Sequence, residues 1–227
     1  MKIPKLLMTG AAAMLIFASC KKSGSDTGSD NSSMQFQLKA ANPFVVVNKP
    51  DAPGSIQWTS GSAAATEVKL EAKKNGSELE FNSSGVHQID LFASVLASLG
   101  SFTIPAGTYT EVEFKITLNQ NGSNAAMELN GQYTSGTGVV TPVVFSLNNL
   151  FILKAEQSNV TVTGNSSITT LTTLDLSFVS NGITQTMMNN ATITGGKIII
   201  SASSNINLFN IITNNLLQFH HVDVSHH

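Results

Sequence analysis

The segment Glu67–Phe81, which reads EVKLEAKKNGSELEF, gives the strongest indication of the fold. On both sides of Asn75-Gly76 charged residues alternate with apolar ones, and a period of two is typical of a strand with one buried and one solvated face. Asn-Gly readily adopts the two positive φ angles that the tightest hairpin turns require. The segment therefore predicts a β-hairpin with one solvated face.

The same period continues along the chain in both directions. Met34–Ala40 and Tyr109–Leu118 alternate in this way, whereas Ile183–Asn190 and Ile206–Phe219 have helical spacing. Ile89–Leu99 predicts the end of a strand followed by a short helix. The other predicted strands are residues 44–47, 55–59, 127–133, 139–147, 150–155, 159–163, 171–179 and 197–202. In the last helix, one apolar face is expected to contain Ile206, Phe209, Ile212, Thr213, Leu216 and Leu217.

Many short strands without a regular alternation of strands and helices predict a mainly β protein. We expect an antiparallel β-sandwich with one or two short helices and a C-terminal amphipathic helix. Charged residues make up 11% of the chain, against roughly 25% in an average soluble domain. Residues 34–220 are expected to form one domain, and the alternative is two sandwiches divided near residues 136–138.

The basic residues are all lysine, and this bears on the ligands that the chain can bind. Without arginine, planar bidentate recognition of phosphate or carboxylate is excluded. Removal of Lys2 and Lys5 with a signal peptide leaves ten lysines against fourteen acidic residues. Because a negatively charged surface does not attract polyanions, we expect no nucleic acid partner.

The N-terminus has the three parts of an export signal. Met1–Lys5 carries two lysines, and Leu6–Ala18 is an apolar stretch of thirteen residues, shorter than the roughly 20 that a membrane-spanning helix needs. Small residues then precede Cys20, in a pattern that resembles the lipobox of bacterial lipoproteins. The resemblance implies a signal peptide over residues 1–19, cleavage before Cys20, and acylation of its thiol and amino group.

Cys20 is the only cysteine, so none is left for a disulfide. The alternative is an unmodified cysteine beside a conventional cleavage site. Residues 20–33 contain no apolar side chain after the cysteine and are expected to be a flexible tether. Because Lys21 replaces the aspartate associated with inner-membrane retention in some bacteria, we expect an anchor in the outer membrane, in either leaflet.

Two motifs support a family resemblance. Gln88-Ile89-Asp90-Leu91-Phe92 is followed by Ile104-Pro105-Ala106-Gly107-Thr108-Tyr109-Thr110-Glu111-Val112. This pairing resembles a group of uncharacterised lipoproteins, mainly from Bacteroidota, that have a transthyretin-like or immunoglobulin-like β domain. The resemblance covers roughly residues 34–160 and implies a fold and a location, but no activity.

The C-terminus is the main candidate for a metal site. Residues 221–227 form a His-rich tail directly after His220, and imidazoles beside Asp223 are possible ligands for Zn²⁺ or Ni²⁺. Metal sites usually take their ligands from a rigid scaffold, so we favour a frayed polar tail without a bound metal. No cofactor is expected.

The carboxylates offer two pairs at strand spacing, Glu78 with Glu80 and Glu111 with Glu113. Such pairs can act as acid and base or hold Ca²⁺, but alternation with apolar residues favours a solvated strand face. Asp90 is expected to cap a turn. His87 is the only histidine before the tail, and no nucleophile motif accompanies it.

These observations predict a non-catalytic, lipid-anchored protein for adhesion, scaffolding or binding of an envelope partner. The alternative is a glycan-binding or glycan-processing lipoprotein, which needs an exposed aromatic platform or two opposed carboxylates. Trp58 distinguishes the two hypotheses. We expect Trp58 to be mostly buried, and packing in the core also explains the positions of Tyr109 and Tyr133.

Overall fold

The computed structural model describes residues 30–47 and 53–218, together with the backbone of residues 222–226. The predicted signal peptide, Cys20 and the tether as far as residue 29 lie outside these residues. The last part of the predicted tether is structured, because the first strand begins at Asn31 and the side chain of Ser32 is buried.

The described residues form thirteen strands and three short helices. The first seven strands are β1 Asn31–Ala41, β2 Phe44–Val47, β3 Gly54–Lys74, β4 Ser77–Asp90, β5 Ser101–Pro105, β6 Gly107–Leu118 and β7 Met127–Thr134. The others are β8 Val140–Leu147, β9 Phe151–Val162, β10 Ser167–Asp175, β11 Ile193–Thr194, β12 Lys197–Ile200 and β13 Val222–His226. The helices are α1 Leu176–Val179, α2 Gln185–Asn189 and α3 Ile206–Leu217.

The strands form two sheets, which confirms the mainly β sandwich class. The small sheet has the order β13-β10-β1-β5, and the large sheet has the order β11-β12-β8-β7-β3-β6-β9, with β2 and β4 also paired to β3. The pairs β1–β10 and β8–β12 are parallel, so the sheets are mixed and the expectation of a purely antiparallel sandwich is wrong in this respect.

The long strand β3 organises the large sheet. Its N-terminal half pairs with β7 and β2, and its C-terminal half pairs with β6 and β4. The register shifts between Trp58 and Ser60 and again between Ala65 and Glu67. Each extra residue moves the following side chains to the opposite face. The alternation of polar and apolar residues in the sequence breaks at the same two places. The sequence therefore predicts two separate strands where the structure has one.

The Asn75-Gly76 hairpin prediction is confirmed. Lys74 lies opposite Ser77, and the φ angles of the two turn residues are 51° and 77°. These values belong to the primed turns, whose twist matches that of the strands they join.

The two ends of the large sheet are covered by different elements. Under the C-terminal half of β3 lies the small sheet, where the ring centroid of Phe36 is 4.6 Å from that of Phe114 and 5.1 Å from that of Phe102. At the other end the helices form the cover, and Phe209 of α3 stacks on Phe145 of β8 at 5.9 Å.

Several local predictions are wrong. Residues 91–100 contain no helix and run beside β1, where they form hydrogen bonds with Phe36 and Ala40. The two strands predicted over 150–155 and 159–163 are the single strand β9. The strand predicted over 171–179 ends at Asp175, whose carboxylate caps α1.

Both later helices are confirmed, but the predicted face of α3 is only partly correct. Ile206 and Leu217 are exposed, whereas Leu208 is buried together with Phe209 and Ile212. Residues 136–138 lie in the turn between β7 and β8, which are neighbouring strands of one sheet.

The tail also differs from expectation. The backbone of Val222–His226 pairs antiparallel with β10, with Val222 opposite Thr172 and His226 opposite Ile168. A frayed tail was therefore the wrong expectation for these five residues.

Candidate functional site

Ten charged residues of the described part of the chain lie on the outer face of four neighbouring strands. One row runs across β4, β3, β6 and β9 and consists of four glutamates, each directly opposite the next. They are Glu80, Glu71, Glu113 and Glu156. The adjacent row contains Lys69, Lys115 and Lys154, and the row on the other side contains Glu78, Lys73 and Glu111. These ten residues are called the charged face.

The lysines of the adjacent row form ion pairs with three of the four glutamates. Lys69 Nζ lies 2.8 Å from Glu71 Oε1 and 3.0 Å from Glu80 Oε2. Lys115 Nζ lies 2.7 Å from Glu71 Oε1 and 2.8 Å from Glu113 Oε1. Like charges directly opposite each other destabilise a sheet, so each row depends on the other for its stability.

The ion pairs shift the pKa values of their members. Hydrogen bonds from Lys115 and Lys69 hold the pKa of Glu71 at about 2. The hydrogen bonds of Lys69 to Glu71 and Glu80 raise its pKa. Burial lowers the pKa of Lys115, but hydrogen bonds to Glu113 and Glu71 outweigh it and leave the pKa raised. Glu71 thus stays ionised at neutral pH, unlike a general acid.

The predicted carboxylate pairs lie on this face. Glu80 and Glu113 belong to the glutamate row, and Glu111 is 2.7 Å from Lys73 Nζ. All four lie on one strand face, as the alternation predicted, and Glu80, Glu111 and Glu113 form ion pairs there. Glu71, which the sequence did not single out, lies between Glu80 and Glu113.

Asp90 and His87 occupy the end of β4. The Asp90 carboxylate accepts a hydrogen bond of 2.9 Å from the Phe92 backbone N–H, which confirms its predicted role in a turn. His87 lies opposite Ala65 of β3, with Asp90 three residues further along the same strand.

Trp58 is buried, with 1% of its surface exposed, as predicted. Its indole Nε1 donates a hydrogen bond of 3.2 Å to the hydroxyl of Ser180 after α1. Opposite it is Gly131, where a Cβ would lie 2.5 Å from the carbonyl oxygen of Gln57. Tyr109 and Tyr133 are also buried, so none of these three rings offers a platform for a sugar.

A cleft of about 290 Å³ lies at the other end of the large sheet, between the β7–β8 hairpin, α2 and β11. Its lining has no charged side chain and consists of hydroxyl, amide and apolar groups. The lining residues are Tyr133, Ser135, Thr137, Val139, Thr141, Gln185, Met188, Asn189, Ile193 and Ile198. This group of residues is called the neutral cleft.

Two polar side chains of the neutral cleft are buried. The Tyr133 hydroxyl donates a hydrogen bond of 2.6 Å to Asn189 Oδ1, and burial raises its pKa. Gln185 is 6% exposed, and its buried Oε1 has no hydrogen-bond partner in the part of the chain that the structure describes. A buried acceptor without a donor is costly, and this oxygen is buried too deeply for a molecule in the cleft to reach it.

Sequence reasoning missed the neutral cleft. Neutral amides and hydroxyls are common throughout this chain, and nothing distinguishes Gln185 or Asn189 in the sequence from the others. The signal exists only in the packing of α2 against the β7–β8 hairpin.

A second groove of about 480 Å³ lies between α2 and the start of α3. Asn205, which precedes α3, uses its side-chain amide to bond the backbone of Thr192 and Ile199 and does not cap the helix. The amide therefore holds the loop before β11 in place.

Among residues 30–47 and 53–218, no three histidine, cysteine or acidic side chains are grouped so that they could hold a metal ion. No helix in that part of the chain is long and apolar enough to cross a membrane.

No protein-family model, curated protein or solved structure matches this chain. The resemblance to Bacteroidota-type lipoproteins stays a prediction that rests on the two quoted motifs.

Proposed function

We propose that this chain is a lipid-anchored, non-catalytic protein of the bacterial cell envelope that binds a protein partner through the charged face. The observation that carries the proposal is the concentration of charge there, in a chain of which only 11% is charged. Three ordered rows of charge across four strands form a flat pattern that a partner of complementary charge can match, and such complementarity favours specificity and rapid association.

The ion pairs argue against catalysis at this face. A carboxylate that serves as a general acid needs a raised pKa, whereas that of Glu71 is lowered to about 2. The burial of Trp58 also favours a partner-binding protein over the glycan-binding or glycan-processing alternative, because it removes one of the two features expected of that alternative, an exposed aromatic platform.

The anchor in this proposal is Cys20. Two acyl chains hold a protein on a membrane more stably than one, and the proposed location is the outer membrane. Wild-type protein is expected in the membrane fraction with an acylated N-terminus. Cys20→Ala should release the protein or leave the precursor uncleaved, and wild-type protein found soluble with an unmodified N-terminus would contradict the anchor.

Partner binding is tested by photocrosslinking in intact cells. A photoreactive residue replaces Lys154, whose side chain is 52% exposed on the charged face, and in a control it replaces Lys197, an exposed lysine on β12. We expect a defined protein adduct from position 154 that weakens in high salt and in Glu156→Lys, and none from position 197. Equal adducts at both positions, or none at either, would contradict the proposal.

A further inference from the structure

The strand β9 forms one edge of the large sheet. It is twelve residues long and, in the part of the chain that the structure describes, it pairs with β6 alone. The strand β13 and the helix α3 lie near it, but neither pairs with it. Backbone N–H and C=O groups that point away from a sheet edge are a template for another strand.

The sequence of β9 leaves this edge fit for pairing. Proline and charged side chains that point inward are common means of blocking an edge strand. β9 contains no proline, and its inward residues Phe151, Leu153 and Ala155 are apolar and buried. The regular part of the strand ends at Asn159, which has a φ of 58° and no residue opposite it in β6. Residues 151–158 therefore form a regular edge.

The hydrogen bonds of β6 show which backbone groups of β9 point outward. The carbonyl oxygen of Thr117 accepts a hydrogen bond from the Thr66 hydroxyl of β3, so the backbone of Thr117 faces β3. Neighbouring residues of a strand direct their backbone groups to opposite sides. The even-numbered residues of β6 therefore bond the odd-numbered residues of β9 opposite them. The residues of β9 whose backbone groups point away from β6 are Ile152, Lys154, Glu156 and Ser158.

The two charges of β9 are the least paired of the central rows of the charged face. Lys154 Nζ lies 3.6 Å from Glu113 Oε1, and its side chain is 52% exposed. Glu156 is exposed and forms no ion pair with any residue that the structure describes. An opposite charge beside each of them, beyond the edge of the sheet, would complete both rows.

We infer that β9 pairs with β9 of a second copy of this chain, antiparallel and centred on Ala155. In this register Lys154 of each copy lies opposite Glu156 of the other, and Ile152 lies opposite Ser158. All four of these residues direct their backbone groups outward, so the ladder of hydrogen bonds is in phase. The pairing ends where the regular part of β9 ends, before Asn159.

The charges select this register over its neighbours. A shift of two residues in one direction places Lys154 opposite Lys154, and a shift in the other direction places Glu156 opposite Glu156. Like charges directly opposite each other destabilise a sheet. A shift of one residue would place exposed side chains on the buried face. The pattern is thus complementary to itself, as a twofold interface requires.

The dimer goes beyond the proposed function and does not depend on it. It joins two charged faces edge to edge, so that each glutamate row continues into the lysine row of the second copy. A single pair of strands is a small interface, and we expect a weak association that high salt weakens further.

The test is disulfide crosslinking in intact cells that make two differently tagged copies of the full chain. One copy carries Ile152→Cys and the other Ser158→Cys, which leaves both charges in place. In the inferred register the two Cα atoms are about 5.5 Å apart, a distance that a disulfide spans. In the controls both copies carry the same cysteine, and the thiols are about 20 Å apart along the strands.

After mild oxidation we expect at least tenfold more linked dimer from the mixed pair than from either control. The chain without an added cysteine accounts for any crosslink through Cys20. Glu156→Lys in both copies places lysine opposite lysine and should reduce the linked dimer at least tenfold, as should Lys154→Glu in both copies. Lys154→Glu in one copy and Glu156→Lys in the other makes the two edges complementary again, and the linked dimer should return.

Three results would overturn the inference: no linked dimer from the mixed pair although both copies are folded, equal yields from the mixed pair and a control, or no recovery when the two charge variants are combined. In the photocrosslinking experiment, an adduct with a second copy has twice the mass of the chain, and an adduct with another envelope protein is identified by its different mass. Failure of the dimer and failure of the proposed partner surface are therefore distinguishable.

Discussion

The large sheet has two halves that share β3 but are stabilised in different ways. The charged half comprises Ala65–Lys74 of β3 with β4, β6 and β9, and its outer face is a lattice of lysine–glutamate pairs. The neutral half comprises Gly54–Ala63 of β3 with β2, β7, β8, β12 and β11, and helices cover it.

The comparison shows how one strand can serve two surfaces. In the charged half, water covers the outer face and the ions are paired there. In the neutral half, Trp58 packs inward and bonds Ser180, and α2 leaves a cleft without charge. Each of the two bulges in β3 shifts the alternation by one residue, and because there are two of them, even-numbered side chains such as Trp58 and Leu70 are buried in both halves.

The largest expected effect comes from the packing of the neutral half. Trp58→Ala should lower the free energy of unfolding by about 3–5 kcal/mol, since it leaves a cavity in the core. Trp58→Phe keeps most of the packing and should cost about 1–3 kcal/mol, because the Ser180 hydroxyl loses its donor. Urea denaturation measures both values. Equal stability of Trp58→Ala and wild type would mean that the helices do not depend on this contact.

The next effect concerns the small sheet that covers the charged half. Deletion of residues 219–227 removes β13 and should lower the free energy of unfolding by about 1–2 kcal/mol, since each backbone hydrogen bond contributes about 0.5–1.5 kcal/mol net. The loss should be the same in zinc and in a chelator. A loss that appears only with stoichiometric zinc bound to the wild type would instead show that the tail holds a metal.

A smaller effect distinguishes the two halves by how strongly salt changes the cost of removing a carboxylate charge. Glu71→Gln should cost about 0.5–1 kcal/mol at low ionic strength, because Lys69 and Lys115 lie opposite each other without it. The cost should shrink at 1 M salt, where the screening length is about 3 Å. The matched control is Glu128→Gln on β7, whose carboxylate bonds the Asn130 amide, and its cost should vary little with salt. Equal salt dependence of the two variants would remove the distinction between the halves.

The smallest expected effect is a difference in how the stability of wild type and Glu71→Gln falls at acid pH. The pKa of Glu71 is about 2 in the folded protein and ordinarily 4.5. The folded state therefore gains from its ionisation above pH 4.5, and the gain is lost as the pH falls from 4.5 towards 2. Wild-type stability should fall more steeply over this range than that of Glu71→Gln. Parallel curves, measured by urea denaturation at each pH, would show that Glu71 does not contribute.

Much of the fold was predictable from local sequence. Strict alternation located β1, β6 and the hairpin at Asn75-Gly76, because the period of two and the turn chemistry are local properties. The prediction failed where contacts between residues distant in sequence determine the local backbone structure. Residues 89–99 have helical spacing, but 89 and 90 end β4, and Leu91 and Leu99 form backbone hydrogen bonds with β1.

The candidate sites divide in the same way. Alternation showed that Glu78, Glu80, Glu111 and Glu113 face solvent, but only the strand register shows that Glu71 lies between two of them and pairs with two lysines.

By itself, the sequence determined the β class, the main hairpin and the burial of Trp58, since periodicity, turn residues and side-chain size act within a few residues of one another. Only the tertiary structure decided the bulges of β3, the rows of the charged face and the neutral cleft. These features depend on which strands become neighbours, and side chains far apart in sequence gain or lose partners only when the sheets pack. Gln185 acquires its unpartnered oxygen in this way, through the burial of α2 beside the β7–β8 hairpin, whose last residue, Leu147, comes 38 residues before Gln185.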